Sequence, residues 1–221
     1  MLPNMLSRWV VVLAAVAAPL AHAQSAEIAA TVTDAHGKPL ADAIVVAVPA
    51  DGNIRLPSRP PQDVVDQVDK EFVPKVQAIL VGTAVTFPNR DTVRHQVYSF
   101  SPAKRFELPL YTGVPQAVTF DKPGVVVLGC NIHDWMVGYV YVSESPYFAK
   151  TDAKGRAVLL DLPPRTYVVR VWHPQLIGAE EDTRKNVDAS RAGRPEVAWT
   201  LTLKAEVRIR RAPMSGSHGA Y

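Results

Sequence analysis

Cysteine is nearly absent: Cys130 is the only one in 221 residues. An internal disulfide is therefore excluded, and so is a zinc site of the kind that needs several closely spaced cysteines or histidines. No segment keeps a sustained helical period, which argues against a helical fold. No apolar run is long enough to cross a membrane; the longest, from Trp9 to Ala18, is too short. A Gly-x-Ser-x-Gly elbow is missing, so a hydrolase is not expected, and the chain reads as a non-enzyme. One-sided charge is lacking as well. Twenty-four Lys and Arg face 21 Asp and Glu, for a net +3, and the basic residues are scattered apart from Arg208, Arg210 and Arg211. That balance does not suit a nucleic-acid binder.

The N-terminus indicates export. Arg8 precedes the short apolar run, and Ala21-His22-Ala23 supplies a small-x-small cleavage site. Residues 1–23 are read as a signal peptide removed after Ala23. Arg8 is the only charged residue in that segment, so cleavage takes the net charge from +3 to +2. The mature chain is expected in a bacterial periplasm, without a membrane span and as a monomer. Residues 206–221 are small and polar toward their end and are expected to form a disordered tail.

What the chain has in quantity is strand signal. Short β-branched runs alternate with turn chemistry, predicting strands at Ile44–Val48, Ala84–Phe87, Gln96–Phe100, Ala117–Phe120, Val125–Cys130, Tyr139–Ser143, Arg156–Leu160, Tyr167–Trp172 and Ala198–Leu203. Asp34-Ala35-His36-Gly37, Asp121-Lys122-Pro123-Gly124 and Thr151 to Gly155 provide turns between them. Gln62 to Lys70 reads as a short helix or, as readily, as loop and strand. The fold class is all-β, of sandwich type.

The lone cysteine lies in Gly129-Cys130-Asn131-Ile132-His133-Asp134-Trp135-Met136, just after the apolar run Val125-Val126-Val127-Leu128. A buried inert thiol is the ordinary reading of a single cysteine. Here a histidine follows three residues on and a methionine three further, in a chain marked for an oxidising compartment. A thiolate, an imidazole and a thioether from one loop make three of the four ligands of a trigonal copper site with a weak axial methionine. His95, 35 residues upstream of Cys130, is the candidate fourth. The metal ligands are thus read as His95, Cys130, His133 and Met136, holding one copper ion that alternates between Cu(I) and Cu(II). His173 is read as a hydrogen-bonded structural histidine, and His36 and His218 as exposed. Trp135 has two readings of equal weight: packing beside the loop, or part of an apolar docking surface around His133.

From Phe72 to Val142 the chain resembles the cupredoxins, the family of plastocyanin, pseudoazurin and amicyanin. The resemblance rests on Gly82-Thr83-Ala84-Val85-Thr86-Phe87-Pro88-Asn89, on His95 starting a strand, on Thr119 to Gly124 and on Gly138-Tyr139-Val140-Tyr141-Val142. The Cys130-x-x-His133-x-x-Met136 spacing looks most like amicyanin. Ile132 stands where amicyanin-like loops carry a proline, and Gln96 where an asparagine is common. The resemblance implies a cupredoxin-like Greek-key β-sandwich at 64–143, an intense visible band from the Cys130 thiolate, and electron transfer between redox protein partners. Its amicyanin side implies a link to amine oxidation, as in methylamine utilisation. The alternative is a periplasmic copper carrier or storage module. Such proteins use methionine-rich sites, whereas this chain has four methionines, two of them in the signal peptide.

Residues 24–49 and 146–205 resemble a carboxypeptidase-regulatory or transthyretin-like β-sandwich. The simplest arrangement inserts 64–143 into that second small sandwich, with Pro57-Ser58-Arg59-Pro60-Pro61 as the linker; a tandem or merged arrangement stays open.

Overall fold

The computed structural model describes residues 25–59, 61–113, 117–191 and 193–205. The expected signal peptide at 1–23 and the expected tail at 206–221, with its basic cluster, lie outside the described residues. Among the described residues, strands follow one another with only one 3-10 turn, Glu180–Thr183, between them. The first half holds β1 (Ala26–Asp34), β2 (Ile44–Pro49), β3 (Gln62–Val64), β4 (Asp66–Val68), β5 (Glu71–Val73), β6 (Val76–Leu80), β7 (Ala84–Thr86), β8 (His95–Ser101) and β9 (Lys104–Tyr111). The second holds β10 (Ala117–Thr119), β11 (Gly124–Leu128), β12 (Gly138–Ser143), β13 (Tyr147–Lys150), β14 (Arg156–Leu162), β15 (Thr166–Trp172), β16 (Lys185–Asp188) and β17 (Glu196–Leu201). The chain is all-β, built of packed sheets.

Two sheets enclose the first core. One has the order β14-β1-β17 and the other β13-β2-β15-β16. Alternation sets the facing side of β1: Ala26, Ile28, Ala30 and Val32 point inward while the residues between them do not. They meet Val45, Ala47, Leu159, Tyr167, Val169 and Trp199 from the other strands. The buried members of this core run from Ala26 to Ala47 and from Ala157 to Leu201.

The second core is drawn from Val65 to Val142. Sheets β10-β7-β3 and β11-β12-β6 surround it, with the hairpins β4-β5 and β8-β9. Phe72, Phe87, Val97, Phe120, Val126, Leu128 and Val140 fill it, and Cys130 and Met136 belong to the same cluster. The ambiguous segment at Gln62 to Lys70 resolves into β3, β4 and a turn. No helix forms there, because its backbone groups pair with β7 and β5 instead. The hairpin β8-β9 carries Pro109, tolerated because β9 pairs with β8 alone and the register shifts between His95 and Val97.

A third apolar cluster lies between the two cores. Ile44 and Val46 from β2 meet Val76 and Tyr141, with Trp172 and Tyr139 packed alongside. β2 is therefore buried on both faces, which is why Ile44-Val45-Val46-Ala47-Val48 lacks alternation: its odd members face the first core and its even members the seam. β12 divides in the same way, Val140 and Val142 facing the second core and Tyr141 the seam. Arg170 of β15 closes the seam by pairing with Glu144 at 2.5 Å and Glu180 at 2.6 Å.

Candidate metal centre

β11 and β12 form an antiparallel pair ending at Leu128 opposite Gly138. The segment between them is the loop that carries Cys130, His133 and Met136. Two features hold its base. Tyr98 of β8 and Gly129 exchange backbone hydrogen bonds at 3.1 and 3.0 Å. A Cβ on Gly129 would lie 2.7 Å from Cζ of Tyr98, so any larger residue here must push the end of that ring aside. Within the loop the Met136 N–H donates to the His133 carbonyl at 2.9 Å, turning the methionine back into the core.

The pairing of β8 with the loop base carries His95 to the cysteine. The ligand atoms of His95, Cys130 and His133 all lie within 4.8 Å of one another. Cys130 Sγ is 3.9 Å from Nδ1 of His95 and 3.9 Å from Nδ1 of His133. His95 is 0 % exposed, Cys130 4 % and Met136 1 %, whereas His133 is half-buried. The structure therefore brings the two histidines and the cysteine together at one point, and buries Met136 in the same apolar cluster as the cysteine. Burial first, then the charges of His95 and Lys70, hold the His133 imidazole below the usual histidine range. Neutral imidazole is the form that binds a metal.

A layer of polar residues that sequence reasoning left without a role surrounds His95. Its Nε2 lies 2.7 Å from Asp91 Oδ2. Burial opposes the charge on Asp91, but the Lys70 amide, His95 and the Asp69 amide together hold its carboxyl below the usual range. Asn89 donates to the carbonyls of Val93 at 2.9 Å and Tyr111 at 2.8 Å. Tyr111, its phenol pushed up to about 12 mainly by burial, stays protonated and donates to the Phe87 carbonyl, which also accepts from Gln67. The four-residue spacing between Asp91 and His95 was the available signal, and it is weak in a loop.

The donor set suits copper. Two imidazole Nδ1 atoms and a thiol converge, a thioether lies in the same cluster as the thiol, and apolar side chains surround both sulfur groups. Around the half-buried His133 lie Ile132, 49 % exposed, and Trp135, whose ring centroid is 5.2 Å from the imidazole. The Trp135 indole Nε1 is buried without a hydrogen-bond partner.

The other histidines stand elsewhere. His173 is buried, accepts the Gln175 N–H at 3.2 Å, and is held below the usual histidine range chiefly by desolvation. His36 is exposed in its turn, and His218 lies outside the described residues.

No family model matches the chain, and no curated protein does. Solved structures do. A purple cupredoxin from Nitrosopumilus maritimus is 31% identical over 38% of this chain and 99% of its own, with a TM-score of 0.33. A copper-containing nitrite reductase from Thermus scotoductus SA-01 is 30% identical over 52% of this chain and 28% of its own, with a TM-score of 0.36. A Cu(I) amicyanin variant is 24% identical over 37% of this chain and 82% of its own, with a TM-score of 0.34.

Proposed function

We propose that this chain is a periplasmic blue-copper protein. It binds one copper ion through His95, Cys130, His133 and Met136 and passes single electrons between redox protein partners. One observation carries the reading: two imidazole Nδ1 atoms, each 3.9 Å from a thiol that is 4 % exposed. Copper supplies the one-electron couple when bound. Cys130 would provide the soft thiolate, His95 and His133 the neutral nitrogens, and Met136 a thioether sulfur. The rigid sheets on either side hold these donors in place, so that little rearranges when an electron moves. His133 faces outward, and Ile132 and Trp135 beside it form a small apolar contact suited to brief encounters.

In this reading the protein is an electron carrier rather than an enzyme and acts as a monomer. Its signal peptide is removed after Ala23, and 64–143 is inserted into a sandwich made of 24–49 and 146–205. A partner in amine oxidation is the one we favour.

Adding Cu(II) to purified mature protein should give one bound copper and a strong visible charge-transfer band. Cys130→Ser should abolish the band while far-UV circular dichroism stays unchanged; a band that survives would sink the assignment. Reversible voltammetry without loss of copper separates electron transfer from metal carriage.

A further inference from the structure

We infer that Asp91 is the positioning residue that orients His95 toward the metal, and that the β4–β5 turn exists to hold that carboxylate in place. The inference rests on the copper reading above. His95 has two ring nitrogens and no contact with solvent. Its Nδ1 faces the Cys130 sulfur at 3.9 Å, and its Nε2 faces Asp91 Oδ2 at 2.7 Å. An ionised carboxylate only accepts hydrogen bonds, so the ring proton belongs on Nε2 and the lone pair on Nδ1. The imidazole is thereby locked in the one tautomer that can ligate at the cluster.

Asp91 is itself fixed from three sides. Its Oδ1 accepts the Asp69 N–H at 2.8 Å, its Oδ2 accepts the Lys70 N–H at 2.8 Å, and its own N–H donates to Asn89 Oδ1 at 2.9 Å. Asp69 and Lys70 are the two central residues of the β4–β5 hairpin, with φ of 54° and 60°. Two consecutive non-glycine residues in the left-handed region are unfavourable in themselves. That conformation aims both amides at the same carboxylate, so the turn and the charge support each other. A fixed negative charge behind His95 makes the imidazole a stronger donor and favours the more positive copper ion.

Asp91→Asn keeps the size, removes the charge and replaces one acceptor oxygen with an NH2 that faces a backbone N–H of the Asp69-Lys70 turn. Copper(II) affinity should fall by about 10–100-fold, the usual cost of losing such an outer partner. Copper(I) affinity should change less, and each tenfold change in their ratio raises the reduction potential by about 59 mV. Asp134→Asn removes an equal charge from an exposed position in the ligand loop and should move the potential far less. An unmoved potential in Asp91→Asn, or equal shifts in the two variants, would overturn the inference.

Nitrogen NMR of the metal-free wild type provides a second measurement that survives a misfolded variant. His95 should carry its proton on Nε2, and a proton on Nδ1 would refute the proposal. A wild type that takes up no copper would instead refute the copper reading, which is a different result.

Discussion

Arg170 is where one substitution should loosen the seam between the two cores while leaving the His95–Cys130–His133 cluster alone. Its side chain is 10 % exposed and bonds Glu180 Oε1 at 2.6 Å and Glu144 Oε1 at 2.5 Å. Tyr141 of β12 donates to the same Glu180 oxygen at 2.5 Å. Arg170→Met keeps most of the volume but strands two carboxylates. Removing one partner of a fully buried pair costs about 3–5 kcal/mol. Here the glutamate side chains are 29 % and 18 % exposed. Water therefore recovers part of the loss, and about 2–3 kcal/mol is expected. For a chain of this size that lowers Tm by about 4–12 °C. Replacing the stranded charges as well, in Arg170→Met/Glu144→Gln/Glu180→Gln, should bring stability back to within about 1 kcal/mol of wild type. Urea unfolding followed by circular dichroism measures both variants, and the visible spectrum of the copper-loaded proteins should match wild type. A single variant as stable as wild type, or a triple variant no better than the single, would refute this account of the seam.

Two further outcomes follow from the loop. A Cβ on Gly138 would lie 2.9 Å from the Phe72 Cβ itself, so no ring rotation relieves the clash. Gly138→Ala should therefore destabilise by about 1–3 kcal/mol, read by denaturant unfolding, and unchanged stability would show that the strand end yields easily. Trp135→Lys should slow electron self-exchange, measured by NMR line broadening in mixtures of reduced and oxidised protein. A roughly tenfold loss corresponds to about 1.4 kcal/mol at the contact. Equal rates with equal spectra would assign Trp135 to packing alone.

Legibility in the sequence followed the distance along the chain over which a contact forms. The Cys130–His133–Met136 loop needed no partner to be recognised, since its three donors lie within seven residues and a strand delivers the first. Strands with alternating β-branched residues were equally plain. β9 was missed because Lys104, Arg105, Glu107 and Pro109 mask it, and only its pairing with β8 makes it a strand. The ambiguous stretch at Gln62 to Lys70 could not be settled locally because its backbone finds its partners in β7 and in β5. The parallel pairs β1-β17 and β12-β6 were beyond reach for the same reason.

By itself, then, the sequence determined the all-β class and set Cys130, His133 and Met136 in one loop, because residue type and short spacing carry that information, whereas His95, 35 residues upstream of Cys130, meets Cys130 and His133 only in the fold. Tertiary structure alone decided that β2 and β12 are buried on both faces, that Arg170 gathers Glu144 and Glu180 beside the seam, and that Asp91 reaches both His95 and the Asp69-Lys70 turn. Those contacts depend on closing loops between strands far apart in the chain, and no local pattern of side chains records which closures the packed cores will favour.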